Sequence, residues 1–194
     1  MPKRIADKDL FGNPLRPRRP RYEATLAASD KETLSERAAR LRWLSSVSPR
    51  VYMLGLQIET AIVLQETQVS FVNGNFVAVI VLAAAFMEHW FAGSLAKRGF
   101  EKEASRGLAA AIKCARVNKL VDPLILDGAD RLRLIRNPFV HLKDHDREYT
   151  VGQRMMKPQP RDILSMLESD AKDAVVAMFA VATYKFGVKQ LVRI

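Results

Sequence analysis

The apolar stretch from Phe76 to Ala96, FVAVIVLAAAFMEHWFAGSLA, restricts the folds open to this chain more than any other feature. Its uninterrupted apolar run ends after twelve residues, at Glu88-His89, whereas a bilayer crossing takes about 20 apolar residues. A helix that is apolar all round belongs in a protein interior. The sequence therefore predicts a core helix buried on all sides. The alternative is a transmembrane helix in a small membrane protein.

The rest of the chain is typical of helices separated by Pro, Gly and Asn turn signals. The capping-box pattern from Ser29 to Glu32 predicts the start of regular structure, and Asp122-Pro123 predicts the start of a later helix. Pro138 is expected to end that later helix at or just after Arg136-Asn137. Strand alternation is absent, apart from a short excursion at 149–151. These patterns predict an all-α fold, an antiparallel bundle of about five to six helices, at about 29–47, 51–68, 76–97, 101–118, 122–137 and from 161 to 187 or beyond.

Charge divides the chain into two predicted parts. Residues 1–28 form a Pro/Arg-rich arm that we expect to be extended and flexible, and residues 29–194 form a single helical domain. Of the net charge of +10, the first 22 residues contribute +5. A basic arm suggests a polyanionic partner such as nucleic acid. The arginines expected to bind it are Arg16, Arg18, Arg19 and Arg21. The alternative is a solvated tail that only aids solubility.

The composition also bears on the compartment. No apolar segment closely follows the basic N-terminus, so no signal peptide is expected. One cysteine excludes an internal disulfide framework and fits a reducing compartment. The sequence therefore predicts a cytoplasmic protein. Cys114 lies in a helical pattern without matching metal ligands, which favours a packing role over a reactive thiol.

The segment Arg136-Asn137-Pro138-Phe139-Val140-His141 is the strongest candidate for a reaction centre. An Arg four to six residues before a His is expected close to once by chance in a chain of this composition. The context adds to the signal, because an apolar helical stripe leads into Arg136 and a proline separates it from His141. From chemistry and spacing alone, a structural ion pair at Arg136 and a surface histidine at 141 remain an open alternative.

The stretch from Gly107 to Leu142, GLAAAIKCARVNKLVDPLILDGADRLRLIRNPFVHL, resembles HEPN domains. In that family two antiparallel helices precede Arg, often followed by Asn, then four to six residues and His. The resemblance implies a helical bundle, usually a homodimer. It also implies a metal-independent endoribonuclease of toxin or defence type, with RNA as substrate and an antitoxin or nucleotidyltransferase as partner. Other members keep the fold without catalysis and serve as binding modules.

The chemistry of RNA cleavage without a metal suggests a role for each residue. Histidine can act as base or acid near neutral pH, and arginine stays charged and binds phosphate through two donors. We therefore expect Arg136 and His141 to be catalytic. Asn137 would orient His141 or bind phosphate, or its side chain would cap a backbone end. Glu88 would orient Arg136, or form a purely structural ion pair or an exposed helix edge.

Two further groups have simpler explanations. His141 and His145 are four residues apart and are flanked by two aspartates, Asp144 and Asp146. No Glu follows His141 in the metalloprotease pattern and no cysteine is near, so chance surface placement is favoured and neither a metal site nor a cofactor is expected. For the aromatic residues Phe86, Trp90 and Phe91, a role in core or dimer contacts is favoured over a role in stacking against nucleic-acid bases.

Overall fold

In the computed structural model, residues 21–49, 57–144, 146–156 and 162–184 are described. Within these ranges all regular structure is helical, which confirms the all-α prediction. The described residues form eight helices rather than five or six. They are α1 (Arg21–Val47), α2 (Ile58–Val72), α3 (Phe76–Ala96), α4 (Glu101–Ala104), α5 (Leu108–Val117), α6 (Pro123–Val140), α7 (Val151–Met155) and α8 (Ile163–Thr183).

The chain divides into two compact units, Met1–Ala39 and Arg40–Ile194. In the second unit, α3 packs against α2, α4, α5, α6 and α8. Among the described helices, α3 alone is long and apolar enough to cross a membrane by length and composition. Half of its most apolar window is buried, and the fully covered side chains include Phe86, Met87 and Phe91. The hydrophobic effect thus explains its composition.

Burial of α3 is nevertheless incomplete. Val77 and His89 are exposed and Glu88 is partly exposed, so the expectation of burial on all sides is met only in part. Phe86, Trp90 and Phe91 of this helix lie in the core as predicted. Trp90 and Phe91 meet edge to face, with ring centroids 5.1 Å apart.

The first helix begins earlier than its capping pattern predicts. Helix α1 starts at Arg21, so Ser29 lies inside it, and the carbonyl of Ser29 accepts a hydrogen bond from the Thr33 hydroxyl at 2.9 Å. The expected start at Ser29 is therefore wrong, and residues 21–28 are helical rather than extended. The physical reason is that RYEATLAA contains no Pro or Gly and is rich in helix-forming residues. The prolines at 14, 17 and 20 lie outside the described residues.

Two other predicted boundaries also differ. A short helix, α7, lies between the predicted helices that end at 137 and begin at 161. Tyr149, in the suggested strand excursion, has a positive φ of 69°. The predicted helix over 101–118 is split into α4 and α5 at Gly107. The predicted start of the second helix, at 51, and the predicted end of the last helix, at 187 or beyond, lie outside the described residues.

Gly107 breaks the chain because of its backbone conformation, with φ 83° and ψ 174°. This region is essentially restricted to glycine. We expect Gly107→Ala to lower the free energy of unfolding by about 1–3 kcal/mol. Gly93→Ala is the matched control, because a Cβ at Gly93 has no neighbour within 4 Å and alanine stabilises a helix interior by about 0.5–1 kcal/mol. Urea unfolding of both variants tests this, and equal losses would contradict it.

Cys114 is a buried residue of α5, which confirms its predicted packing role. Burial raises the pKa of its thiol, and the negative charge of Glu103 raises it further, while a hydrogen bond from the Asn118 side chain lowers it. The Asn118 amide nitrogen lies 3.6 Å from the sulfur. A thiol with a raised pKa holds little thiolate at neutral pH and is a poor nucleophile.

Candidate functional site

Helix α6 carries the Arg136–His141 segment, and its N-terminus is built as predicted. The Asp122 side chain accepts a hydrogen bond from the Leu124 amide at 2.8 Å, and Pro123 occupies the first turn. Such a cap satisfies one of the free N–H groups at a helix start. The beginning of α6 is therefore fixed by local chemistry.

The end of α6 differs from the prediction, because the helix continues through Pro138 to Val140. A helix is expected to break at an interior proline, since the ring removes one N–H and crowds the preceding turn. Here Pro138 lies in the last turn, and the helix closes behind it with a hydrogen bond from the His141 amide to the Asn137 carbonyl at 2.9 Å. The expected interruption at Arg136-Asn137 is therefore wrong.

His141 terminates α6, and its backbone leaves the helix with φ −135° and ψ 130°. The residue is exposed, and no hydrogen bond or ion pair links its side chain to a described residue. Its imidazole is therefore accessible to solvent and to a ligand. His141 thus lies just off the regular helix, although the helix ends three residues later than predicted.

Arg136 lies five residues earlier, and its side chain lies next to Glu88 of α3. Its Nη2 atom is 3.5 Å from Oε2 of Glu88, with the arginine side chain 16% exposed and the glutamate side chain 38% exposed. This distance is at the long limit of a hydrogen bond, so the contact is mainly electrostatic. The sequence named Arg136 as a candidate partner of Glu88, and the structure places the two side chains together.

The surroundings of Glu88 include a second favourable feature. A Cβ built on Gly107 would lie 3.6 Å from Oε1 of Glu88, so this carboxylate is close to the residue that precedes α5. Free N–H groups at a helix N-terminus favour nearby negative charge. Glu88 thus lies beside both the start of α5 and Arg136.

Asn137 contributes its backbone to the helix end. The residue is partly buried, and no hydrogen bond links its side chain to the described residues. Its carbonyl, rather than its side-chain amide, closes the last turn. Capping by the side chain is therefore not observed, and a role toward His141 or phosphate stays a prediction.

Of the four arginines predicted to bind nucleic acid, one lies in the described part of the chain. Arg21 is the exposed first residue of α1, whereas Arg16, Arg18, Arg19 and His145 lie outside the described residues. Within the described part of the chain, no group of three His, Cys, Asp or Glu side chains could hold a metal ion. The structure thus brings Arg136 and Glu88 together, with His141 at the end of the same helix as Arg136.

One polar cluster was not anticipated from the sequence. Asp170 of α8 is 3% exposed and forms a two-pronged ion pair with Arg154 of α7, whose Nη2 lies 2.8 Å from Oδ1. Arg154 also borders a cavity of about 330 Å³ on α6 and α7, lined by Arg131, Ile135, Glu148, Tyr149, Gln153 and Arg154. The available signal was an aspartate on the apolar stripe of α8, since a buried charge needs a partner.

Comparison of the chain with known protein families, with curated proteins and with solved structures gives no match. The resemblance of the Arg136–His141 segment to HEPN domains therefore stays a prediction.

Proposed function

We propose that this chain is a HEPN-like, metal-independent endoribonuclease of toxin or defence type that acts as a cytoplasmic homodimer. The observation that carries the proposal is the end of α6, where an oriented arginine and an exposed histidine follow each other within about one and a half turns. Copies of this helix end from two chains would form one composite site. The resemblance adds an antitoxin or a nucleotidyltransferase as a candidate partner.

The reaction needs three groups. A base removes the proton of the ribose 2′-hydroxyl, whose oxygen attacks the adjacent phosphorus and forms a 2′,3′-cyclic phosphate. A cation neutralises the negative charge on the phosphorane-like transition state. An acid protonates the departing 5′-oxygen as its bond to phosphorus breaks. His141 from one chain would supply the base and His141 from its partner the acid, because the motif has one histidine per chain.

Arg136 would supply the cation. A guanidinium has five N–H donors, and a carboxylate engages at most two of them in a bidentate contact. Its pairing with Glu88 therefore leaves donors for phosphate while restricting the orientation of the side chain. Preorganised charge stabilises a transition state better than a mobile side chain, because less reorganisation occurs during the reaction.

The basic arm would hold RNA electrostatically through Arg16, Arg18, Arg19 and Arg21. Binding of this kind weakens steeply with salt, because each neutralised phosphate releases a counterion. Deletion of residues 1–20 removes three of these arginines and leaves α1 complete. A salt titration of RNA binding by both proteins measures how much of the affinity the arm contributes.

A catalytically silent HEPN-like binding module for nucleic acid or protein is the second candidate. One observation favours it: Arg136 already has a counter-charge in Glu88, as a structural ion pair would. In that case the arm would carry the binding. Loss of affinity on deletion of residues 1–20, with no cleavage by either protein, would favour the module.

Arg136→Ala tests the enzyme most directly. We expect RNA cleavage that persists with a chelator present and that falls by about 10²–10³-fold in this variant, the usual cost of removing a transition-state donor. Arg133→Ala is the matched control, because Arg133 lies on the same helix and pairs with Asp130 at 2.8 Å. Full activity in Arg136→Ala, or cleavage abolished by the chelator, would overturn the proposal.

A further inference from the structure

Much of the first half of helix α1 is exposed. Every residue from 21 to 32 is exposed. Three leucines of α1 have half or more of their surface exposed, namely Leu26 at 65%, Leu34 at 63% and Leu41 at 52%. A helix of this kind gains little from propensity alone, since most helical stability in proteins comes from tertiary packing. The arrangement points to a partner for α1.

The exposed leucines share one face with an ion pair. Leu26, Asp30, Leu34, Arg37 and Leu41 follow one another at intervals of three or four residues, which places them on one stripe of a helix. Arg37 Nη1 lies 3.0 Å from Asp30 Oδ1, across two turns of α1. We call this set, with Thr33, the α1 stripe. It presents one acid and one base between apolar residues.

The positions of the residues in the α1 stripe are symmetric about its centre, and the charged position on one side carries the opposite sign to that on the other. In an antiparallel pair of α1 helices, the register that sets Asp30 opposite the partner's Arg37 also sets Leu26 opposite the partner's Leu41. The same register sets Thr33 opposite the partner's Leu34. The two-fold axis then passes between residues 33 and 34, close to the middle of Arg21–Val47. Two helices of about 40 Å would therefore overlap along almost their whole length.

We propose that the α1 stripe is the interface through which two copies of this chain associate, antiparallel and around a two-fold axis. Such an interface is self-complementary, because each contact occurs twice. The two Asp30–Arg37 pairs between chains fix the register, and the leucine pairs on either side exclude water from them. This interface rests on the proposed function in one respect, that two copies of the chain associate. The contacts themselves are inferred from α1 alone.

Other occupants fit the stripe less well. A parallel in-register pair would oppose Asp30 to the partner's Asp30 and Arg37 to the partner's Arg37, and like charges in contact are unfavourable. Nucleic acid would need a basic surface, but α1 carries five Lys/Arg and four Asp/Glu. A lipid surface would have to desolvate Asp30 and Arg37 in the middle of the apolar stripe.

Charge reversal tests both the interface and its direction. Sedimentation equilibrium should show a dimer for the full chain and dimerisation about 100-fold weaker or more in Asp30→Arg and in Arg37→Asp, because each variant opposes like charges twice. A mixture of the two variants should dimerise again, since each chain then meets the opposite charge. The ion pair within each chain stays broken in that mixture, so recovery reports contacts between chains.

The matched control is Glu32→Arg, which makes the same charge change away from the stripe and should leave dimerisation unaltered. Cysteine pairing tests the register in a Cys114→Ala background: Leu26→Cys mixed with Leu41→Cys should cross-link, and neither should do so alone. A monomeric full chain, unaltered dimers in both reversal variants, or no recovery in the mixture would overturn the interface. A dimer that does not cleave RNA would overturn only the proposed function, and a monomer that cleaves RNA would overturn the α1 interface and the composite dimer site.

Discussion

Replacing His141 with alanine is expected to lower the rate of RNA cleavage by about 10²–10⁴-fold, the usual contribution of a general acid or base. His141 is exposed at the end of α6, and its side chain has no hydrogen bond to a described residue. The substitution should therefore leave the fold and the thermal unfolding midpoint unchanged. A loss of activity without a loss of stability separates a chemical role from a structural one.

The control for this variant is His89→Ala, which removes another exposed histidine from α3. It should cleave RNA at the wild-type rate. Mixing wild-type protein with His141→Ala protein adds a test of the composite site. If both histidines of a dimer are needed, an equal mixture with free exchange retains about one quarter of the activity, and independent sites retain about one half. Wild-type activity in His141→Ala would overturn the catalytic assignment.

Replacing Arg154 with alanine is expected to lower the free energy of unfolding by about 3–5 kcal/mol, the largest effect on stability expected for a charged residue in the described part of the chain. Asp170 is almost completely buried, and Arg154 compensates its charge with two hydrogen bonds. Without the guanidinium, the carboxylate stays in the interior unpaired or takes up a proton. Both outcomes cost free energy.

Two comparisons locate the source of this loss. Arg131→Ala removes a guanidinium that pairs with Asp173 at 3.5 Å between exposed side chains, so it should cost at most about 1 kcal/mol. The double variant Arg154→Met with Asp170→Leu removes both charges and should recover most of the stability. Urea unfolding measures all three proteins. Equal losses for Arg154→Ala and Arg131→Ala would contradict a special role for the buried pair.

The Arg154–Asp170 pair also explains why α7 was missed in the sequence. Five residues are too few for a stable helix on their own, and the stretch around them is charged and flanked by proline. The turn is held by the Thr150 side chain, which accepts from the Gln153 amide at 3.2 Å, and by the ion pair to α8. Neither α7 nor its partner could be read from a periodic pattern.

In the candidate site too, some features could be predicted from the sequence and others followed only from the packing of the helices. The sequence singled out Arg136, Asn137 and His141 because their spacing is local. It suggested Glu88 because a carboxylate in an apolar helix needs a partner. That Glu88 and Arg136 lie together follows from the packing of α3 against α6, across 48 residues of chain. Their roles in catalysis stay predictions.

What the sequence by itself determined about this protein is its helical class, its apolar central helix and the cap at Asp122, because periodicity and capping act over a few residues. Only the tertiary structure decided which charges meet, where the predicted fourth helix divides and how α6 continues through Pro138. The pairing of charges depends on neighbours distant in the chain. The fourth helix divides because of the backbone conformation of Gly107, and α6 continues because Pro138 lies in its last turn. Electrostatic pairing and packing act through space, so short patterns in the sequence do not record them.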